Sequence, residues 1–585
     1  MKRKIIGFDT ETYLKNKQHT YFLAQFYSED FDPPLSRIFE IYKEEELDSL
    51  VTFLKSRQVR GNVLVGFNIS FDLAVLAKAV ANHNFKIKLF DSGRVIYGIL
   101  THNKHNIYVI DLKNLTMARS LYELSRYLSI EKRKPVYLGT EKSFELYLTN
   151  EQYREVMRQY AITDAKICYL GMKKLLESFK AVEEFNNVLR FTASSNAVSM
   201  FMRNLGFRFP KYPDEVEAKL RRSYRGGRVE VFKRGTNTEK VHLYDINSLY
   251  PYCMKNYRYP LISTESTFRF VKKQDVDLEF EGVAKVAVKI DSKYPVLGVK
   301  KECPDGFERL IFPEGYIVDW FTYPELRAVE DMGIGKITKV FESFEYKVWC
   351  RPFEEFIDKL YSLRKNYKDD KFKNKFFKLL MNSLYGKFGE YRTGKLIELV
   401  DGETVKQLNK VENRHRYYSN VVWASYITAY ARLTLYNYIV KAKPETVYYC
   451  DTDSIVTSTT METGDELGML KEEGVAKPYE ATFIRSKFYI FGSTIRLRGF
   501  AISIDAEDFR RLLISGAKYI DQERILSIKE ALRRKKPMLL HETYRKMLNV
   551  SEDFKRVYER YLSRKDLFET HVDSDPRVVM DGNTQ

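Results

Sequence analysis

A six-residue run near position 450 sets the strictest condition on how this chain can fold. Tyr449-Cys450-Asp451-Thr452-Asp453-Ser454 places two carboxylates two residues apart, between Thr446-Val447-Tyr448 and Ile455-Val456-Thr457. Both flanks are β-branched or aromatic and read as strands. The polar centre then reads as a tight strand-turn-strand that holds two acids on backbone with little freedom, as a metal site requires. An ordinary hairpin uses the same residue types, because Asp and Ser favour turns. The rest of the chain decides between the two readings by whether it supplies partners.

Its 585 residues leave room for about two to four domains. Lys and Arg number 97 against 79 Asp and Glu, a net +18, which favours a polyanionic partner. Tyr (42) and Phe (39) are abundant, and aromatic side chains among basic ones suit stacking on bases, though most serve the core. The cysteines, at 168, 253, 303, 350 and 450, are odd in number and lack any CxxC, so no disulfide framework or zinc site is expected and a reducing compartment fits. The first residues run straight into a strand pattern, and no run of 18 apolar residues occurs, so a cytoplasmic protein without a membrane span is expected.

Four further acids fall on defined elements. Lys4-Ile5-Ile6-Gly7-Phe8 is a strand signal followed by Asp9-Thr10-Glu11, and residues i and i+2 of a strand share a face. Val63–Phe67 reads as a buried strand ending at Asn68-Ile69-Ser70-Phe71-Asp72, before a helical pattern. Gln152–Asp164 has helical periodicity, with Tyr160 and Asp164 at i and i+4. Alone, Asp72 reads as a helix cap and Asp164 as a surface residue. Together, D-x-E, N-x(2–3)-F-D and Y-x(3)-D resemble the three exonuclease motifs of proofreading DNA polymerases. The resemblance implies a ribonuclease-H-like 3′→5′ exonuclease in which Asp9, Glu11, Asp72 and Asp164 hold two divalent ions about 4 Å apart. It gives Tyr160 the attacking water, and Asn68 and Phe71 the frayed 3′ strand. Asp111-Leu112 stands where that family has a Ser-Leu pair. For the lysine expected before the third motif, Lys142 is the choice, with Lys134 open.

The same order of motifs continues. Between Lys219 and Arg234 seven basic residues surround Tyr224-Arg225-Gly226-Gly227, with Glu230 the only acid. This is similar to the Y-x-G-G/A segment that joins exonuclease and polymerase modules and touches template, which implies DNA contacts from Tyr224, Gly226 and Gly227. Val241–Tyr244 reads as a strand delivering Asp245, then Ile246-Asn247-Ser248-Leu249-Tyr250-Pro251, which resembles the family B motif D-x-x-S-L-Y-P. The resemblance implies that Asp245 and Asp453, helped by the Ile246 carbonyl, share two magnesium ions, with manganese as substitute. It makes Tyr250 the gate against ribonucleotides and Asp451 a secondary carboxylate. Lys359–Lys387 carries nine basic residues against two acids and suggests two helices joined near Asp369-Asp370. Lys378, Asn382 and Tyr385 form one helical stripe and resemble the fingers motif K-x(3)-N-S-x-Y-G, which implies triphosphate binding by Lys378, helped by Lys371, and a base-pair pocket formed by Asn382 and Tyr385. Thr428 and Arg432, in T-x-x-A-R, and Lys487 and Tyr489, in K-x-Y, resemble primer-contact motifs; Lys487 and Tyr489 are expected on one strand face.

The expected fold class is therefore α/β multidomain: a ribonuclease-H-like exonuclease domain plus a right-hand polymerase of palm, fingers and thumb with two insertions. The expected division is exonuclease 1–185, palm 186–260, first insertion 261–355, fingers 356–388, second insertion 389–420, palm 421–515, and thumb and tail 516–585. Leu396–Val405 signals a hairpin turning at Asp401-Gly402. Residues beyond about 515 are expected to be helical and basic, and those after Val572 disordered. The length and position of the insertions resemble the protein-primed branch, which implies DNA, dNTPs and a terminal protein as partners of a monomeric enzyme. The alternatives are a DNA-primed or primer-independent family B polymerase and a non-catalytic DNA-binding replication factor.

Overall fold

The computed structural model describes residues 3–263, 269–271, 277–390, 394–400, 404–411, 416–500, 504–536 and 538–580. Three parallel strands seed the first sheet: Ile5–Lys15 lies beside Val63–Gly66, which lies beside His105–Asp111. Alternate residues of the first strand enter different cores. Ile6 and Phe8 pack with Leu73 and Leu76 of the helix Ser70–Ala79, whereas Ile5 packs with Ile167 and Cys168 of the helix Glu151–Lys180. Gly7 lets that second helix come close, because a Cβ there would lie 1.9 Å from the Ala165 carbonyl oxygen.

Antiparallel neighbours extend the sheet to nine strands. Gln18–Ser28 and Leu35–Phe39 form one edge. At the other, Val95–His102 and Phe85–Asp91 are followed by Gly394–Val400 and Thr404–Val411, which come from the expected second insertion. The hairpin expected there thus joins the first sheet; its Asp401-Gly402 turn lies outside the described residues.

A second centre is an antiparallel sheet in the order Leu470–Ala476, Val241–Ile246, Ser454–Thr457, Val447–Asp451, Val229–Val231. Behind it lies the helix Val421–Lys441, apolar on nearly all sides. Trp423 of this helix is fully buried among Phe209, Phe353 and Phe388. The expected two fingers helices are Glu354–Asn366 and Lys371–Ser383, the second capped by the Asp370 carboxylate, which accepts from the Lys373 amide at 3.0 Å. Residues 281–346 supply the three central strands of a further five-stranded sheet, Glu281–Ile290, Glu314–Thr322 and Gly335–Tyr346.

Two expectations fail beyond residue 515. The segment is not mainly helical: Tyr519–Ile525 pairs with His541–Met547 in an exposed hairpin, and only the short helix Ile528–Arg534 lies between them. The two strands pair along seven residues, and Arg545 forks onto Asp521 across them with two 2.9 Å bonds. Ile528, Ala531, Met538 and Leu539 leave the hairpin and enter the core that holds Ile6, Phe8, Leu73 and Leu76. Nor is the tail after Val572 without structure. Ser574–Pro576 pairs with Arg556–Tyr558, and Val578–Met580 runs parallel to Glu314–Thr322. Such short strands exist because a partner edge is already there to receive them.

Candidate active sites

In the first sheet, Asp9 and Glu11 project from one strand face toward Asp164 on the long helix. One carboxylate oxygen from each lies within 4.8 Å of the others. Asp72 stands in the first turn of its helix rather than at the cap, and its Oδ1 accepts from the Thr10 amide (3.1 Å) and hydroxyl (2.8 Å). Gln25 Nε2 donates to Asp9 Oδ2 at 2.8 Å. All four acids are buried. Burial first, and then their mutual repulsion, pushes Asp9 and Glu11 well above the usual carboxylate range. Burial likewise raises Asp72 to about 7, and Asp164 to about 6 against the pull of Lys132. Lys132 is the cation at this cluster, its Nζ 2.7 and 2.8 Å from the two Asp164 oxygens and 4.7 Å over the Tyr160 ring. One lysine against three converging carboxylates, with Asp72 close by, leaves an excess of negative charge that divalent cations would satisfy, so the donor set fits such ions.

The lysine expectation is corrected here. Lys142 Nζ lies over the Tyr137 ring at 4.1 Å, and Lys132, not Lys134, reaches Asp164. Tyr160 hydrogen-bonds Asp164, and burial beside these acids raises its hydroxyl far above its ordinary range. Asn68 adopts a left-handed φ of 63°, held by its amide donating to Asp111 Oδ1 (2.8 Å) and by Lys113 Nζ donating to its side-chain oxygen (3.1 Å). Phe71 meets the His19 ring edge-on at 5.1 Å. Asn68 and Phe71 line a cleft of about 510 Å³ whose opposite wall is Ser527, Lys529 and Leu539.

In the second sheet, Asp245 ends its strand paired with Ser454, and the Ile246 amide donates to the Asp453 carbonyl at 2.6 Å. These bonds bring together two acids 208 positions apart. The turn between the strands is tight, with Thr452 at φ 62°. Asp451 is already engaged: Lys487 Nζ lies 2.8 Å from both its oxygens, and the Tyr449 hydroxyl donates at 3.2 Å. Burial, then the charge of Asp453 and Glu473, pushes Asp245 up to about 7, against Lys378 and Lys471. Burial and Asp451 also raise Asp453. Burial lowers Lys378. Asn382 donates to the Lys378 carbonyl at 2.8 Å, and Tyr385 stacks on Tyr250 at 3.9 Å. Lys371 lies exposed at the start of the same helix, about two turns before Lys378.

Other expected DNA contacts are rearranged. Tyr224 lies against Gly389, beside Tyr385. Space is open beside Gly226, whereas a Cβ on Gly227 would lie 2.8 Å from the Thr452 side chain. Lys487 sits at φ 58° in the turn before the strand Phe488–Phe491, so it does not share a strand face with Tyr489; both still converge on Tyr449. Thr428 and Arg432 are each only 2% exposed. The Thr428 hydroxyl donates back to the Ala424 and Ser425 carbonyls, and Arg432 is committed to Glu325 and to two backbone carbonyls, so neither is presented to a primer. Lys132, Lys471, Glu473 and Glu325 are further members of these clusters: Lys132 and Glu325 meet Asp164 and Arg432 from distant segments, whereas Lys471 and Glu473 pair with each other at 2.8 Å on the strand beside Asp245.

Two buried acid clusters on separate sheets, with a basic helical pair beside the second, define a right-hand polymerase fold joined to a ribonuclease-H-like module. Over residues 55–463 the chain matches the model for "DNA polymerase type B, organellar and viral", and it belongs to that family. It is 28% identical over 332 residues to the DNA polymerase of Acidianus bottle-shaped virus (isolate Italy/Pozzuoli), a match covering 54% of this chain and 45% of that one. The DNA-directed DNA polymerase of Enterobacteria phage PRD1 is 30% identical over 260 residues, 40% of this chain and 43% of its own. That of Bacillus phage phi29 is 27% identical over 302 residues, 48% and 51%. The chain thus spans about half or less of the curated relatives it matches. The solved structure of phi29 DNA polymerase, complexed with primer-template DNA and incoming nucleotide substrates, shares the fold at TM-score 0.69 and 17% identity, over 94% of this chain and all of that one. Among the described residues no helix is long and apolar enough to cross a membrane.

Proposed function

We propose that this protein is a DNA-directed DNA polymerase with 3′→5′ exonuclease activity, using primer-template DNA and dNTPs. The observation that carries this reading is the meeting of Asp245 and Asp453 at adjacent strand ends, near Lys378 and beside the Tyr250–Tyr385 stack. Two divalent ions, Mg²⁺ or Mn²⁺, held at Asp245, Asp453 and the Ile246 carbonyl would supply Lewis-acid activation of the primer hydroxyl and charge neutralisation of the triphosphate. Lys378 then grips triphosphate oxygens as a point charge, and Tyr250 bars a 2′-hydroxyl. Lys487 keeps Asp451 out of the metal pair. In the nuclease module Asp9, Glu11, Asp72 and Asp164 form the second two-ion site; Tyr160 and Lys132 orient the attacking water, and Asn68 and Phe71 hold the strand end.

The division into exonuclease, palm, fingers and thumb with two insertions belongs to this reading. So does initiation from a terminal-protein hydroxyl, which the insertions between the palm and fingers motifs support, by a monomer in the host cytoplasm. Asp453→Ala should abolish nucleotide addition and spare nuclease activity, and Asp9→Ala with Glu11→Ala the reverse. Loss of both activities in one folded variant would contradict two separate sites. Incubation with a terminal protein and labelled dNTP tests the priming mode: no protein–nucleotide adduct, with efficient extension of a DNA primer, favours the DNA-primed alternative.

A further inference from the structure

We propose that the first insertion has a task inside the molecule: through three buried arginines it positions the turn that carries Asp453. The inference rests on reading Asp453 as a metal ligand of the polymerase centre. Glu325, 1% exposed, stands in the capping box that starts the insertion's helix Tyr323–Asp331. It accepts from Arg432 Nη2 at 2.7 Å, while Arg432 Nη1 donates to the carbonyls of Arg225 (3.0 Å) and Gly226 (2.9 Å). Arg225 in turn reaches into the insertion, its Nη2 on Asp319 Oδ2 and its Nη1 on the Trp320 carbonyl, both at 2.7 Å. Arg228 does the same, with Nη1 on the Pro295 carbonyl at 2.8 Å. All three guanidinium groups are at most 2% exposed.

The held segment ends at the polymerase centre. The Arg228 carbonyl accepts from the Thr452 amide at 2.7 Å, and Gly227 is packed so close to Thr452 that no Cβ fits. Thr452 is the left-handed residue between the two acids of the turn. The chain of bonds therefore runs from the insertion, through guanidinium forks, to the backbone of residues 225–228, and from there to the backbone beside Asp453. Buried ion pairs are weak evidence of stability by themselves. Here each guanidinium binds a carboxylate (Glu325, Asp319 and, for Arg228, Glu230 at 2.7 Å) and also a main-chain carbonyl, and the carbonyl arm makes it a device for fixing backbone position.

The test uses the full-length protein. Asp319→Asn, Arg432→Lys and Arg432→Ala are assayed for single-nucleotide addition on a DNA primer across a magnesium titration, for primer-template affinity, and for exonuclease rate on a single-stranded oligonucleotide. A misplaced ligand lowers kcat on the order of tenfold or more. The expected result is that loss, with a raised magnesium midpoint and with DNA affinity and exonuclease rate unchanged; Arg432→Lys, which cannot fork to two carbonyls, should fall between the parent and Arg432→Ala. Parental kcat and magnesium midpoint in exonuclease-active variants would overturn the inference, as would a loss confined to DNA affinity. If Arg432→Ala does not fold, Asp319→Asn carries the test. Asp453→Ala run alongside separates the two failures: if it still adds nucleotides, the reading of the site falls first; if it is inactive while the other variants match the parent, only the positioning role falls.

Discussion

Asp72→Asn offers a test of the nuclease cluster that does not depend on activity. Asp72 is 4% exposed, and its carboxyl is raised from 3.8 to about 7 by burial. Between those two pH values the folded chain holds a proton that the unfolded chain has released. The folded state therefore loses stability as pH rises through that window, and the full penalty is present above pH 7. At ~1.36 kcal/mol per pH unit, the penalty is roughly 4 kcal/mol. The neighbouring acids share it, so one substitution should recover ~2–4 kcal/mol. Asn retains an Oδ1 to accept both Thr10 bonds, so the geometry survives. For a domain of 150–250 residues, ~2–4 °C per kcal/mol predicts a rise in melting temperature of roughly 4–16 °C. Thermal melts in EDTA at pH 8 and pH 5.5 measure this, and the gain should shrink by ~2 kcal/mol at the lower pH. Magnesium should stabilise the parent more than the variant. A variant that melts at or below the parent in EDTA at pH 8, or whose gain does not change with pH, would refute the electrostatic account of the cluster.

Lys132→Ala should lower single-strand exonuclease rate by about 100-fold, in line with loss of a group that positions the attacking water, while Lys142→Ala leaves it unchanged; an equal loss in both would return the role to an unspecific basic loop. Gly227→Ala drives a methyl to within 2.8 Å of Thr452 and should slow nucleotide addition while sparing the exonuclease; an unaffected polymerase rate would mean that the turn moves freely. Tyr250→Ala should admit ribonucleotides, read as the ratio of kcat/KM for rNTP and dNTP, and an unchanged ratio would remove its gate role.

The acids were legible because metal chemistry dictates local spacing. Two carboxylates two residues apart on a strand share a face whatever surrounds them, so Asp9 and Glu11 could be placed from the sequence, and Asp451 and Asp453 could be read as an acid pair on one tight turn. Lys132 was not legible. Lys132, Lys134 and Lys142 lie within eleven residues, and only the path of the loop decides which ammonium reaches Asp164. Arg432 was misread for a related reason. Its helix is buried on nearly every face, so periodicity offered no exposed side, and the i, i+4 spacing of Thr428 and Arg432 could not reveal that both turn inward. Beyond residue 515 the basic composition suited a helix equally well, and the hairpin rests on backbone pairing between Tyr519–Ile525 and His541–Met547 that no local window contains.

The two acid clusters obey one rule with different outcomes. In each, a lysine neutralises one carboxylate and so sets how many remain for cations. Lys487 takes both oxygens of Asp451, which leaves Asp453 to face Asp245 as an opposed pair. Lys132 instead binds Asp164, a member of the converging group itself, so that acid must share itself between an ammonium and any ion. An open pair suits a site that must admit and release a triphosphate with its metal at every step. A cluster of three converging acids with one internal cation suits a site where the ions stay and only the strand end comes and goes. On this argument the polymerase centre should depend on magnesium concentration more steeply than the nuclease, and the difference should widen when Lys132 is removed, because Asp164 is then free to bind the ion with both oxygens.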